Sequence, residues 1–169
     1  MDAFDRYLTA LNKALVALLL AATFAVVIVN VVMRYGFGTS FAWGEEVARF
    51  LMIAGAFFGA GIALREGRLV AITVLQDVLP GMARKGLRTA IAVLMLAFMG
   101  ALVWYGVAFV QFGWNKETMA TQIPRGVPYL AVPIGAALFI LHLLLFFRSF
   151  VRGDFLEPGG PLDPEERSE

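Results

Sequence analysis

The chain contains no cysteine and a single histidine, His142, among its 169 residues. The first absence excludes disulfides, thiolate metal sites and cysteine nucleophiles, and the second excludes a bis-histidine haem held within the chain. Charge is scarce as well: Lys, Arg, Asp and Glu together supply 16% of the residues, and the formal net charge is +1. The few cations stand at the edges of apolar runs rather than in a block, so nucleic acid is not an expected partner. No phosphate-binding glycine loop, HExxH helix or GxSxG elbow occurs. The chain therefore lacks the usual equipment of an enzyme, and no metal or cofactor is expected.

Apolar residues are what the sequence has in excess. They make up 60% of it, with a mean hydropathy of +0.76, whereas a soluble domain carries about 45–50%. The lipid bilayer is the expected surroundings. A helix needs about 20 mostly apolar residues to cross one, and four such segments lie at about 13–34, 43–64, 89–112 and 129–147. The first exceeds the roughly 7–15 apolar residues of a signal peptide and no small-residue cleavage site follows it, so it reads as a retained helix. The expected fold is an all-α membrane protein with four transmembrane helices in one domain, residues 1–152.

Orientation follows from the cations, because short cytoplasmic loops are enriched in Lys and Arg. Four spans place Arg6, Lys13, Arg65, Arg68, Arg84, Lys85, Arg88, Arg148, Arg152 and Arg167 on one side, against Arg34, Lys116 and Arg125 on the other. Both termini are thus expected in the cytoplasm, with Trp43 and Trp114 near the outer interface. The stretch at about 69–80, between the second and third spans, is apolar on one face and ends in basic residues, which predicts an amphipathic helix lying in the inner interface. Residues 153–169 combine Pro, Gly and acidic residues with little to bury, which predicts a disordered cytoplasmic tail.

The second span opens with FAWGEEVARF, in which helical spacing lets either Glu45 or Glu46 meet the Arg49 guanidinium. Carboxylates in a first helical turn are favoured by the exposed amides there, while a guanidinium one turn deeper is expected to have a partner. The cluster reads either as a self-satisfied helix end or as a contact to another helix or subunit. Asn30 and Arg34 recur at helical spacing near the end of the first span, and a short hairpin would let Arg34 pair with Glu45 or Glu46. Farther along, Gly55, Gly59 and Ala63 form a small-residue stripe suited to close helix packing. His142 reads as hydrogen-bonded within the membrane domain rather than as a proton carrier. No interrupted helix or internal repeat of the kind that builds a midplane transport site is evident.

The order of motifs, NVVMRYGFGTSFAW, then GEEVARFLMIAGAFFGAGIALREG, then a stretch ending in VLP, a third span, and IPRGVPYLAVPIGAAL, resembles the small membrane subunit of a tripartite ATP-independent periplasmic (TRAP) transporter. The telling residues are Asn30, Arg34, Tyr35, Trp43, the Glu45 and Glu46 pair with Arg49, Gly59, and Pro124 through Gly135. The likeness covers nearly the whole chain except the acidic tail. One departure is that Leu69 and Thr73 stand where the family often has His and Asp.

The resemblance implies a non-catalytic accessory role in Na+-driven uptake of organic carboxylates or sulfonates across a bacterial or archaeal inner membrane. It implies two protein partners, a large membrane subunit that carries the substrate and sodium sites and a periplasmic solute-binding protein. Asn30, Arg34, Trp43, Glu45, Glu46 and Arg49 then become a subunit-interface or structural cluster, and Thr39, Phe41, Trp114 and Lys116 candidates for docking the binding protein. The competing reading is an autonomous small transporter or channel, a homo-oligomer built around Glu46 and Arg49.

Overall fold

The computed structural model describes residues 3–66 and 80–152, and these are helical apart from short connections. The expected interfacial helix, with Leu69 and Thr73, and the acidic tail lie outside the described residues. Helix α1 spans Ala3–Gly36, α2 Ala42–Arg65, α3 Gly81–Gly113, a single turn α4 Gly126–Tyr129, and α5 Ala131–Arg152. Four of the described segments are long and apolar enough to cross a membrane, α4 and α5 together forming the fourth. The helices extend beyond the apolar segments, most clearly at the start of α1, where polar residues continue the same helix.

Several helix ends have a local cause. At the close of α1 the N–H groups of Phe37 and Thr39 both return to the Met33 carbonyl, and Gly38 takes a φ of 69° that reverses the chain at no side-chain cost. Pro80, extended at φ −62° and ψ 152°, sets the entry to α3. Pro133 falls in the first turn of α5, where its missing N–H costs the helix little. Thr23, alone in the apolar stretch of α1, donates its hydroxyl to the Leu19 carbonyl at 2.7 Å.

The four long helices do not close into a bundle. Helix α1 packs on α2, α2 on α5, and α5 on α3, giving a row in the order α1, α2, α5, α3. Burial follows that order: 28% and 39% of the apolar windows of α2 and α5 are buried, against 6% in each flanking helix. The main core, Leu64, Ala92, Phe139, Leu143 and Phe150, sits where α2, α5 and α3 meet, near the end at which α1 begins and α5 finishes.

Close approach within the row depends on particular glycines. A Cβ at Gly55 or Gly59 would make ordinary contact with Leu19 or Val16 of α1, at 3.9 and 3.7 Å, so that part of the stripe does face a helix. Ala63, one turn on, is half-buried. The tight places are elsewhere. A Cβ at Gly135 would lie 2.5 Å from Phe57 Cβ, one at Gly61 2.7 Å from the His142 ring, and one at Gly106 3.0 Å from Pro133. Dispersion and backbone proximity drive helix association in lipid, so these three glycines set the spacing of α2, α5 and α3.

Candidate functional site

Polar side chains gather at the two ends of the row. At the α1–α2 hairpin end, Asn30 is buried, 8% exposed, and its Oδ1 accepts the N–H of Phe41 at 3.0 Å just before α2 begins. Arg34 reaches across the same turn to Glu45, forming an ion pair whose side chains are 50% and 56% exposed. Trp43 stacks at an angle on Phe41, with ring centroids 5.5 Å apart.

Glu46 points away from the hairpin, toward the connection between α3 and α4. Its Oε2 accepts the N–H groups of Ala120 and Thr121 at 3.1 and 2.7 Å, and the Thr121 hydroxyl at 2.9 Å. That connection is itself a tight loop, closed by Thr118 N–H to Ile123 O at 2.9 Å and Arg125 N–H to Lys116 O at 2.8 Å. With the Thr121 proton committed to Glu46, the 2.7 Å contact between the two threonine hydroxyls makes Thr118 the donor. One carboxylate thus ties α2 to a loop more than seventy residues away.

The expectation that a glutamate would neutralise Arg49 is not met. Glu45 belongs to α1 through Arg34 and Glu46 to the loop through Thr121, so Arg49 has no hydrogen bond or ion pair to any described residue and is exposed. Thr39, Phe41, Trp114 and Lys116 are all exposed at this end. The Lys116 ammonium sits 3.5 Å above the Phe112 ring.

A second cluster, at the end where α1 begins and α5 finishes, was not expected. Asp5 and Arg65 form an ion pair with only 12% and 9% of their side chains exposed, and Thr9 accepts from the same guanidinium at 3.0 Å. Next to it Asn12 donates through Nδ2 to the Phe58 carbonyl at 3.1 Å and lies 3.0 Å from His142 Nε2. The amide nitrogen can only donate, so Nε2 accepts in this contact, and the buried Nδ1 has no hydrogen-bond partner among the described residues. Lys13 and Glu66 close the group with an ion pair at 2.9 Å. The signal for it was present: Asp5, Thr9 and Asn12 are spaced four and three apart, which puts them on one face of a helix. Their partners, more than forty residues on, have no such local signature. Among the described residues no group of three or more His, Cys, Asp or Glu side chains could hold a metal ion.

Both clusters join helices to one another. Residues 23–153 match the family model of the DctQ component of tripartite ATP-independent periplasmic transporters. The chain belongs to the TRAP small-permease family. It is 33% identical over 153 residues to a TRAP transporter small permease protein of Haemophilus influenzae, covering 85% of this chain and 94% of that one. It is 31% identical over 137 residues to the ectoine TRAP transporter small permease protein TeaB of Halomonas elongata, covering 80% and 69%. A third relative, the sialic acid TRAP transporter permease protein SiaT of Haemophilus influenzae, is 26% identical over 143 residues, 85% of this chain but only 22% of its own length. A small-permease segment therefore also occurs inside a much longer permease polypeptide. The four helices of this chain, arranged in a row, are long and apolar enough to cross a membrane.

Proposed function

We infer that the chain is the accessory small membrane subunit of a Na+-coupled TRAP uptake transporter, without catalytic activity of its own. It packs against a large membrane subunit and helps dock a periplasmic solute-binding protein. The observation that carries this reading is the open row itself. Four helices in file make a broad wall, and among the described residues the ion pairs and side-chain hydrogen bonds that join helices gather toward the two ends of the row. A transporter acting alone would need a midplane site. The long SiaT relative, of which this chain matches 22%, supports a large membrane partner.

Relatives named for ectoine, sialic acid, C4-dicarboxylate and isethionate support an organic carboxylate or sulfonate as the solute class. The distribution of Lys and Arg supports a cytoplasmic location for both termini. The hairpin end then faces the periplasm, and Thr39, Phe41, Trp114 and Lys116 become the surface offered to the binding protein. Asn30, Arg34, Trp43, Glu45 and Glu46 hold that surface in shape.

Native mass spectrometry of the tagged chain, extracted gently from its own membrane, tests this reading. The expected result is a one-to-one complex with a much larger membrane protein. A stable homo-oligomer that lacks any such partner overturns it.

A further inference from the structure

A row of helices has two broad faces, and here they differ in chemistry. On one, α3 and α5 form a shallow depression from Val103, Val107, Ile134, Ala137, Leu138 and Leu141, without a polar side chain among them. On the other, α2, α3 and the α4–α5 turn enclose a groove of about 430 Å³ lined by residues that include Phe50, Ile53, Tyr105, Phe109 and Tyr129. Arg49 stands four residues before Ile53, on the same side of α2.

Arg49 and Tyr105 set this second face apart. Arg49 lies seven residues into α2 and Tyr105 eight residues from the end of α3, which places both roughly 10–12 Å inside their helices at 1.5 Å per residue. The guanidinium has no acceptor among the described residues, and the Tyr105 hydroxyl has no hydrogen bond there either, its side chain being 66% exposed. Phe98, Tyr105, Phe109 and Phe112, exposed by 60%, 66%, 62% and 65%, recur along one side of α3 as an aromatic ridge. Acyl chains could fill the groove but would accept no hydrogen bond from either group. A long Arg side chain can turn toward a headgroup, whereas the rigid phenol of Tyr105 cannot follow it. Charged side chains in spans face protein or water rather than lipid.

A second copy of this chain is a poor occupant. A two-fold contact through this face would offer Arg49 only residues of the same face, and the nearby carboxylates, Glu45 and Glu46, are already engaged.

We propose that the face of α2, α3 and α5 bearing Arg49, Ile53, Tyr105 and Phe109 is where the large membrane subunit docks. That subunit fills the groove with an apolar helix ridge and presents a carboxylate to Arg49, with an acceptor for Tyr105. The opposite face, around Ile134 and Leu138, meets lipid. This rests on the accessory-subunit reading above and adds the side from which the partner approaches.

Photo-crosslinking in membranes that contain both subunits tests it, with benzoylphenylalanine placed singly at Ile53, Phe109, Ile134 or Leu138. Adducts to the large subunit are expected from Ile53 and Phe109 and not from Ile134 or Leu138. In parallel, Arg49→Ala is expected to lower co-purified large subunit by roughly five- to thirty-fold, with Arg49→Lys recovering much of it. Adducts only from Ile134 and Leu138, or only lipid adducts from Ile53 and Phe109 while the large subunit still co-purifies, overturn the docking face and leave the accessory role standing. Adducts to a second copy of this chain from Ile53 and Phe109 overturn it likewise. If the unmodified chain brings down no large subunit at all, the accessory role itself falls.

Discussion

Thr121 donates both of its hydrogens to one atom, Glu46 Oε2, its N–H at 2.7 Å and its hydroxyl at 2.9 Å. A side chain near the start of α2 thereby sets the conformation of the loop that follows α3. Removing the carboxylate should free that loop without unfolding the helices. Glu46→Ala is expected to lower the melting temperature of the detergent-purified protein and to speed protease cleavage within residues 116–125. Glu46→Gln, which keeps an oxygen acceptor, should do both to a lesser degree. Unchanged cleavage in Glu46→Ala would show that the loop holds itself.

The two ion pairs between helices are not equivalent. Arg34 and Glu45 are about half exposed, while Asp5 and Arg65 are close to fully buried. Exposed pairs contribute about 0–1 kcal/mol, whereas removing one partner of a buried pair costs about 3–5 kcal/mol because it strands the other charge. Asp5→Ala should therefore destabilise the protein far more than Arg34→Ala in a thermal unfolding series. A double replacement, Asp5→Leu with Arg65→Met, should recover much of the loss.

Helix spacing gives a third expectation. Gly135→Ala places a methyl group against Phe57, and overpacking of this kind costs about 1–3 kcal/mol. Gly100→Ala meets nothing within 4 Å and should be neutral or mildly stabilising through helix propensity. Equal melting temperatures for the two variants would mean that α2 and α5 can separate without cost.

Asn12 and His142, 3% and 0% exposed, are coupled through their 3.0 Å contact. Either Asn12→Ala or His142→Leu leaves a buried polar group unpaired, at about 1–3 kcal/mol. The double variant should lose less than the sum of the two, and unfolding of all four proteins in a mutant cycle measures the difference. Strict additivity would make the contact energetically idle.

What could be read in advance depended on distance along the chain. The four spans are local patterns of hydropathy, and the pairing of Arg34 with Glu45 is a short hairpin contact, eleven residues apart. Glu46 with Thr121 and Asp5 with Arg65 join residues 75 and 60 apart, and no periodicity within one segment encodes such meetings. The stripe of Gly55 and Gly59 was legible as a packing surface, but the tighter glycines, Gly61 and Gly135, are recognisable only once their neighbours His142 and Phe57 are in place. Arg49 shows the opposite failure. Its spacing from two glutamates suggested a local pair, and both glutamates are drawn elsewhere.

The order of helices across the row differs from their order in the chain, and this sets a schedule for assembly. As the polypeptide enters the membrane, α1 and α2 can pair at once, since each is the other's neighbour. Helix α3 arrives next without its principal neighbour, because the position beside α2 belongs to α5. On this order it is expected to lack that neighbour until the last span inserts between them. Synthesis of α5 is thus the event that converts a hairpin and a solitary helix into one wall, and a ribosome stalled before Ala131 would leave the two halves unjoined.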